Sequence, residues 1–98
     1  MAQYFNITGA RTQELIAVGS NVKPSSIWLT NIHAADAVTV DLYLEKKLTG
    51  KFYLIKSKSI ANASYLLLED IGFNSRSGEF GLYIKLSAAD SAVDVIIK

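Results

Sequence analysis

The chain has no cysteine, and only one histidine, one tryptophan and one proline. Without cysteine there is no disulfide staple, no thiolate nucleophile and no sulfur ligand for a metal, which suits a reducing cytosol or an assembly held by packing. Charge of one sign is also missing. Ten Lys and Arg against nine Asp and Glu leave a net charge of +1. That balance gives no mandate for nucleic acid or for an anionic membrane. Long apolar runs are absent too. Tyr65-Leu66-Leu67-Leu68 is typical in length and falls far short of the roughly 20 residues that span a bilayer. Met1-Ala2-Gln3-Tyr4-Phe5-Asn6 has neither a basic n-region nor an apolar h-region, so no secretory signal is expected. The sequons Asn6-Ile7-Thr8 and Asn62-Ala63-Ser64 are then read as chance.

The catalytic constellations are missing as well. His33 would have to recruit Asp36, Asp41 or Asp90 to hold a metal, and it reads better as a turn or surface histidine. No Gly-x-Ser-x-Gly elbow and no glycine-rich phosphate loop occurs. Glu69-Asp70 is an adjacent acidic pair, but neighbouring strand residues point to opposite faces, so it makes a poor acid–base couple. The reading is of a non-enzyme with no cofactor.

What is present is alternation. Val38-Thr39-Val40-Asp41-Leu42-Tyr43-Leu44-Glu45 puts apolar residues on every even position, the pattern of a strand with one buried face. Eight short strands are expected: Tyr4–Thr8, Glu14–Val18, Ser26–His33, Ala37–Glu45, Lys51–Lys56, Ala63–Glu69, Glu79–Ser87 and Ala92–Lys98. The breaks are turn-rich: Gly9-Ala10, Gly19-Ser20-Asn21, Ala34-Ala35-Asp36, Lys46–Gly50, Ser57-Lys58-Ser59 and Asn74–Gly78. Asp70-Ile71-Gly72-Phe73 reads as a single turn. This spacing of strands and turns implies an all-β chain. The fold class is an antiparallel β-sandwich of about eight strands, jelly-roll-like, in one domain over residues 1–98. A near-repeat, Ala34-Ala35-Asp36-Ala37-Val38 against Ala88-Ala89-Asp90-Ser91-Ala92-Val93, suggests two similar hairpins.

With Val38, Val40, Leu42, Leu44, Phe52, Leu54, Leu66, Leu68, Phe80, Leu82, Ile84 and Leu86 inward, the opposite faces carry Tyr43, Tyr53, Tyr65 and Tyr83. If their strands share a sheet, these form one aromatic surface of the kind found at interfaces. Trp28 lies on one face of its strand with Ile32, and Ile27 and Leu29 lie on the other. Trp28, Tyr43, Tyr53, Tyr65 and Tyr83 are therefore the interface candidates. Lys46, Lys47, Lys51, Lys56 and Lys58 cluster within thirteen positions. They read as a solvated hairpin guarding a sheet edge, or else as a contact for an acidic protein.

Several segments occur in a familiar order. They are Asn6-Ile7-Thr8-Gly9, Ser26-Ile27-Trp28-Leu29-Thr30-Asn31, Val38–Leu44, Phe52-Tyr53-Leu54-Ile55-Lys56 and Leu67-Leu68-Glu69-Asp70. Phe73-Asn74, Leu82-Tyr83-Ile84-Lys85 and Val93–Ile97 complete the series. The chain resembles small virion structural proteins of tailed bacteriophages, the marine phage type especially. It departs from their pattern at Ile60-Ala61-Asn62, where a proline often follows the isoleucine. The resemblance implies a β-sandwich displayed on a capsid or tail, usually a trimer or higher homo-oligomer. Its partners would be itself and phage capsid or tail proteins, with no nucleic acid and no membrane. Such a protein is made in the bacterial host cytoplasm and ends in the virion. Capsid decoration is the leading role and a tail, neck or fibre-associated module the second. A carbohydrate-binding module, with Trp28 and the tyrosines as sugar platforms, is the alternative from another class.

Overall fold

The structure is a computed structural model and describes residues 3–20, 23–46, 50–69 and 80–98. Eight strands appear there in chain order: β1 (Gln3–Thr8), β2 (Arg11–Ile16), β3 (Ser26–Asn31), β4 (Val38–Lys46), β5 (Gly50–Ile60), β6 (Tyr65–Glu69), β7 (Phe80–Leu86) and β8 (Ala92–Ile97). No helix occurs among the described residues. The expected turn at Asp70–Phe73 and the loop at Asn74–Gly78 lie outside them, as does Lys47–Thr49 of the Lys46–Gly50 loop.

The strands form two four-stranded sheets, in the orders β1-β8-β3-β6 and β2-β7-β4-β5. Four antiparallel pairs are nested in the sequence: β1 with β8, β2 with β7, β3 with β6 and β4 with β5. Additional pairs, β3 with β8 and β4 with β7, close the sheets. A four-pair ribbon rolled into two sheets in this way is a jelly roll. Only β4 and β5 form a hairpin between consecutive strands of one sheet.

The near-repeat segments are therefore not hairpins. Ala34-Ala35-Asp36 carries the chain from β3 to β4, and Ala88-Ala89-Asp90 carries it from β7 to β8. Each crosses from one sheet to the other. The two turns cross in opposite directions and lie together, with His33 reaching both Asp36 and Asp90.

The core lies between the sheets. Ile7, Leu15, Ile16, Ile27, Leu29, Val38, Val40, Leu42, Ile60, Leu82, Ile84, Leu86, Val93, Val95 and Ile97 are buried there, with Leu44, Leu66, Leu68 and Phe80 packed against them. Alternation accounts for most of these. Leu15 and Ile16 are consecutive and both buried because a register shift between Glu14 and Ile16 breaks the alternation in β2. That strand also starts earlier than expected, at Arg11, since Gly9 turns the chain with φ +87°. Gly9 then donates its N–H to the Ser91 carbonyl at 2.9 Å.

Phe52 and Leu54 depart from the expected inward placement. They are 50% and 38% exposed. The cause is an irregular β5, which runs to Ile60 rather than stopping at Lys56. The register jumps from Val40↔Lys58 to Leu42↔Ile55 and then to Tyr43↔Tyr53. Ser57, expected in a turn, has φ +52° and sits in the first of these bulges. Its N–H donates to Asp41 Oδ1 at 2.6 Å. The second leaves Leu54 as the extra residue, so Ile55 is the one that packs on the core. Phe52 stays level with Leu44 but lies on the outermost strand of its sheet. There its ring meets Phe80 edge-on at 5.8 Å.

Candidate interaction surfaces

Sheet β2-β7-β4-β5 carries a polar-aromatic row on its outer face. Register places Glu14 opposite Tyr83, Tyr83 opposite Tyr43, and Tyr43 opposite Tyr53. Tyr83 stacks on Tyr43 at 5.7 Å with 12° between the rings, and Tyr53 meets Tyr43 at 5.3 Å. Such cross-strand aromatic pairs contribute about 0.5–1 kcal/mol each. At the β2 end, the Tyr83 hydroxyl donates to Glu14 Oε2 at 3.1 Å. Lys51 Nζ sits 4.9 Å from the Tyr43 ring centre and Lys56 Nζ 4.4 Å from that of Tyr53. Gly81 leaves room for this arrangement. A Cβ there would come within 3.1 Å of Tyr83 Cε1 and 3.0 Å of the Ile16 carbonyl oxygen.

These neighbours close over Tyr43, which is only 2% exposed. Burial, then Glu45, Tyr53 and Asp41, push its phenol above the ordinary 10.0. The Tyr83 phenol is raised as well, by burial first and then by its bond to Glu14. Of the tyrosines in the row, Tyr53 at the sheet edge is the exposed one. The single aromatic surface of four tyrosines does not form. Tyr65 belongs to β6 in the other sheet, where it meets Trp28 at 5.2 Å.

The outer face of sheet β1-β8-β3-β6 has two adjoining rows. Tyr4, Ile96, Trp28 and Leu67 stand opposite one another across its four strands. One step along the strands, Asn6, Asp94, Thr30 and Tyr65 do the same. Asn6 Nδ2 donates to Asp94 Oδ1 at 2.6 Å. Tyr4, Asn6, Asp94 and Ile96 line an open groove of about 350 Å³ on β1 and β8. Trp28 was singled out in the sequence; Tyr4, Asn6 and Asp94 were not. The signal was available, because Tyr4, Asn6 and Thr8 share one phase of their strand and Ala92, Asp94 and Ile96 share one phase of theirs. What the sequence lacked was the pairing of a first strand with a last one.

His33 does meet two of the three aspartates considered for it. Its Nε2 lies 3.4 Å from Asp90 Oδ2 and 3.9 Å from Asp36 Oδ2, and the three ligand atoms lie within 4.8 Å of one another. Asp41 is elsewhere, bound to Ser57. The ring orientation opposes metal binding. Nδ1 accepts the N–H groups of Ala35 and Asp36 at 3.0 and 2.9 Å, so the ring proton sits on Nε2. A metal on Nε2 would need that proton moved to Nδ1, straight against two N–H donors. The cluster is better suited to clasping the two sheet-crossing turns together.

Asn31 is a further residue that the sequence did not single out. It is fully buried. Its Nδ2 donates to the carbonyls of Asp36 and Ile60, both at 2.9 Å, and its Oδ1 accepts the His33 N–H at 2.9 Å. It ties the crossing turn to the end of β5.

A scan against known protein-family models finds no match. No curated protein matches by sequence. Among solved structures, the fold is similar to that of PirA, with a TM-score of 0.61 at 11% identity over 98% of this chain and 91% of that one. It is similar to the SPBc2 prophage-derived protein YomS, with a TM-score of 0.50 at 12% identity over 99% and 94%. It is also similar to the nucleoplasmin-like N-terminal domain of Drosophila FKBP39, with a TM-score of 0.50 at 12% identity over 99% and 85%. At such identities the likeness is one of fold, and it extends over nearly the whole chain in each case.

Proposed function

We propose that this chain is a non-enzymatic structural protein of a bacteriophage virion, and that it decorates the capsid through protein–protein contacts. The observation that carries the reading is the outermost strand β5. Phe52, Tyr53 and Leu54 are consecutive there and 50%, 41% and 38% exposed. An exposed apolar edge strand is a hazard in a free monomer and an asset in an assembly. Lys51, Lys56 and Lys58 run along the same strand and set two β5 edges against each other by like charge. The edge therefore addresses an acidic surface of a shell protein, and the trimer implied by the resemblance would join through other faces. The fold shared with a prophage-derived protein and the resemblance of the sequence to phage virion proteins support the same reading.

The test is light scattering over a wide concentration range, together with co-sedimentation with purified capsids and purified tails. The full chain is expected to self-associate or to co-sediment with capsids, and Leu54→Asp is expected to abolish the capsid contact. Co-sedimentation with tails alone would move the protein to a tail, neck or fibre. A strict monomer that binds neither would overturn the virion reading.

A further inference from the structure

The outer face of sheet β1-β8-β3-β6 is turned away from the β5 edge, and its chemistry is different. We propose that the groove on β1 and β8 is a glycan-binding site, with Tyr4 as the stacking platform and the Asn6–Asp94 pair as the hydroxyl-binding group. The proposal stands independently of the virion reading.

Saccharides present two kinds of surface, an apolar C–H face and a rim of hydroxyls. A protein site for them needs an exposed aromatic ring beside planar polar groups that both donate and accept. Tyr4 is 72% exposed, the most open large hydrophobic residue among the described residues. Asn6 is two residues along the same strand and on the same face. Its bond to Asp94 Oδ1 at 2.6 Å fixes both side chains. That bond leaves Asp94 Oδ2 and Asn6 Oδ1 as acceptors and the second Nδ2 hydrogen as a donor. A pair already held in place loses little freedom on binding. The groove of about 350 Å³ is at the lower end of the range for small-ligand sites, which suits one or two sugar rings. Trp28 stands two strands from Tyr4 with Ile96 between them, about 10 Å away at the usual strand spacing. With Tyr65 against it, Trp28 supplies a second platform for a longer chain.

The same face fits a protein partner less well. The centre of a protein interface is depleted in charged residues, and here a carboxylate stands on the inner strand β8, between Asn6 and Thr30. The face is also neither uniformly apolar nor positively charged, as a lipid or nucleic-acid surface would require.

The experiment titrates the full chain with maltotriose, cellotriose, lactose and triacetylchitotriose at millimolar concentration, followed by saturation-transfer and backbone NMR. Binding of at least one sugar is expected, with shifts centred on β1 and β8. Tyr4→Ala and Asn6→Ala should each weaken it tenfold or more, and Tyr53→Ala on the opposite sheet should leave it unchanged. Both altered residues are exposed, and circular dichroism checks that the fold persists. No binding of any of the four sugars, with none on a broad glycan array, would overturn the proposal. So would binding that Tyr53→Ala removes and Tyr4→Ala does not. Self-association abolished by Tyr4→Ala would also overturn it and make the face a protein interface.

Discussion

Asn31 shows how much one residue can hold. It has no accessible surface, and its side chain makes three hydrogen bonds to the backbone of three other residues. Asn31→Ala removes the partner of two carbonyls and an N–H, one of the carbonyls buried and the other groups part-buried. The expected loss is roughly 3 kcal/mol, since each orphaned buried group costs about 1–3 kcal/mol and some will find water. Urea denaturation should show a lower midpoint with an unchanged slope. The tyrosine row makes a prediction in alkali. Tyr43 and Tyr83 hold their protons more tightly in the folded protein than in the unfolded chain, where the phenol titrates near 10.0. Their contribution to stability is therefore complete below pH 10 and is lost as pH rises through the raised values. Tyrosinate absorbance should show ionisation that continues above the ordinary phenol range, and Tyr43→Phe should remove part of that late amplitude. A late amplitude unchanged in Tyr43→Phe would show that the row is not packed as described.

Among the elements, β5 is the one whose sequence misleads. Ser57-Lys58-Ser59 reads as a turn because serine tolerates non-extended backbone, and the residue does adopt φ +52°. Yet the strand continues, because Val38↔Ile60 and Thr39↔Ser59 still pair beyond it. Asp41 on the neighbouring strand captures the N–H that the bulge frees. This bulge and the one at Leu54 shift the phase of β5 and bring Tyr53 level with Tyr43. Asp41→Ala should cost about 0.5–1.5 kcal/mol by losing that exposed bond, and amide exchange should rise at Ser57 and its neighbours before elsewhere. Ser57→Gly, which relieves the left-handed backbone, should not destabilise the protein. An Asp41→Ala variant as stable as the parent would show that the bulge needs no lock.

The whole molecule is organised by distant pairings. Gln3 lies opposite Ile97, and Arg11 opposite Leu86, so the loops that must close before these contacts form span most of the chain. Topologies of this kind fold slowly, in about milliseconds to seconds. Stopped-flow refolding followed by Trp28 fluorescence should fall in that range, and a submillisecond phase carrying the full amplitude would contradict it. The His33 clasp belongs to this scale as well, because it joins two turns that are 54 positions apart in the sequence, as Asp36 and Asp90 show. The fold also gives the protein two unlike exteriors: an apolar, lysine-flanked edge at β5, and an aromatic face with an amide–carboxylate pair over β1 and β8.

The sequence by itself determined the class, the number of strands and most of the core. Alternation and turn residues are local properties, and Val38, Val40, Leu42, Leu82, Ile84 and Leu86 needed nothing more to be assigned inward. It also marked Trp28, Tyr43, Tyr53, Tyr65 and Tyr83 as the residues to follow. Only the tertiary structure decided which of them meet. Strand order sent Tyr65 to the sheet of Trp28, and neighbours on both sides closed over Tyr43. The pairing of the first strand with the last brought Asn6 to Asp94, and the pairing of β3 with β8 brought His33 to Asp90. A period-two pattern says which face a side chain takes. It carries no information about which strand lies alongside, because every strand pairs through the same backbone groups.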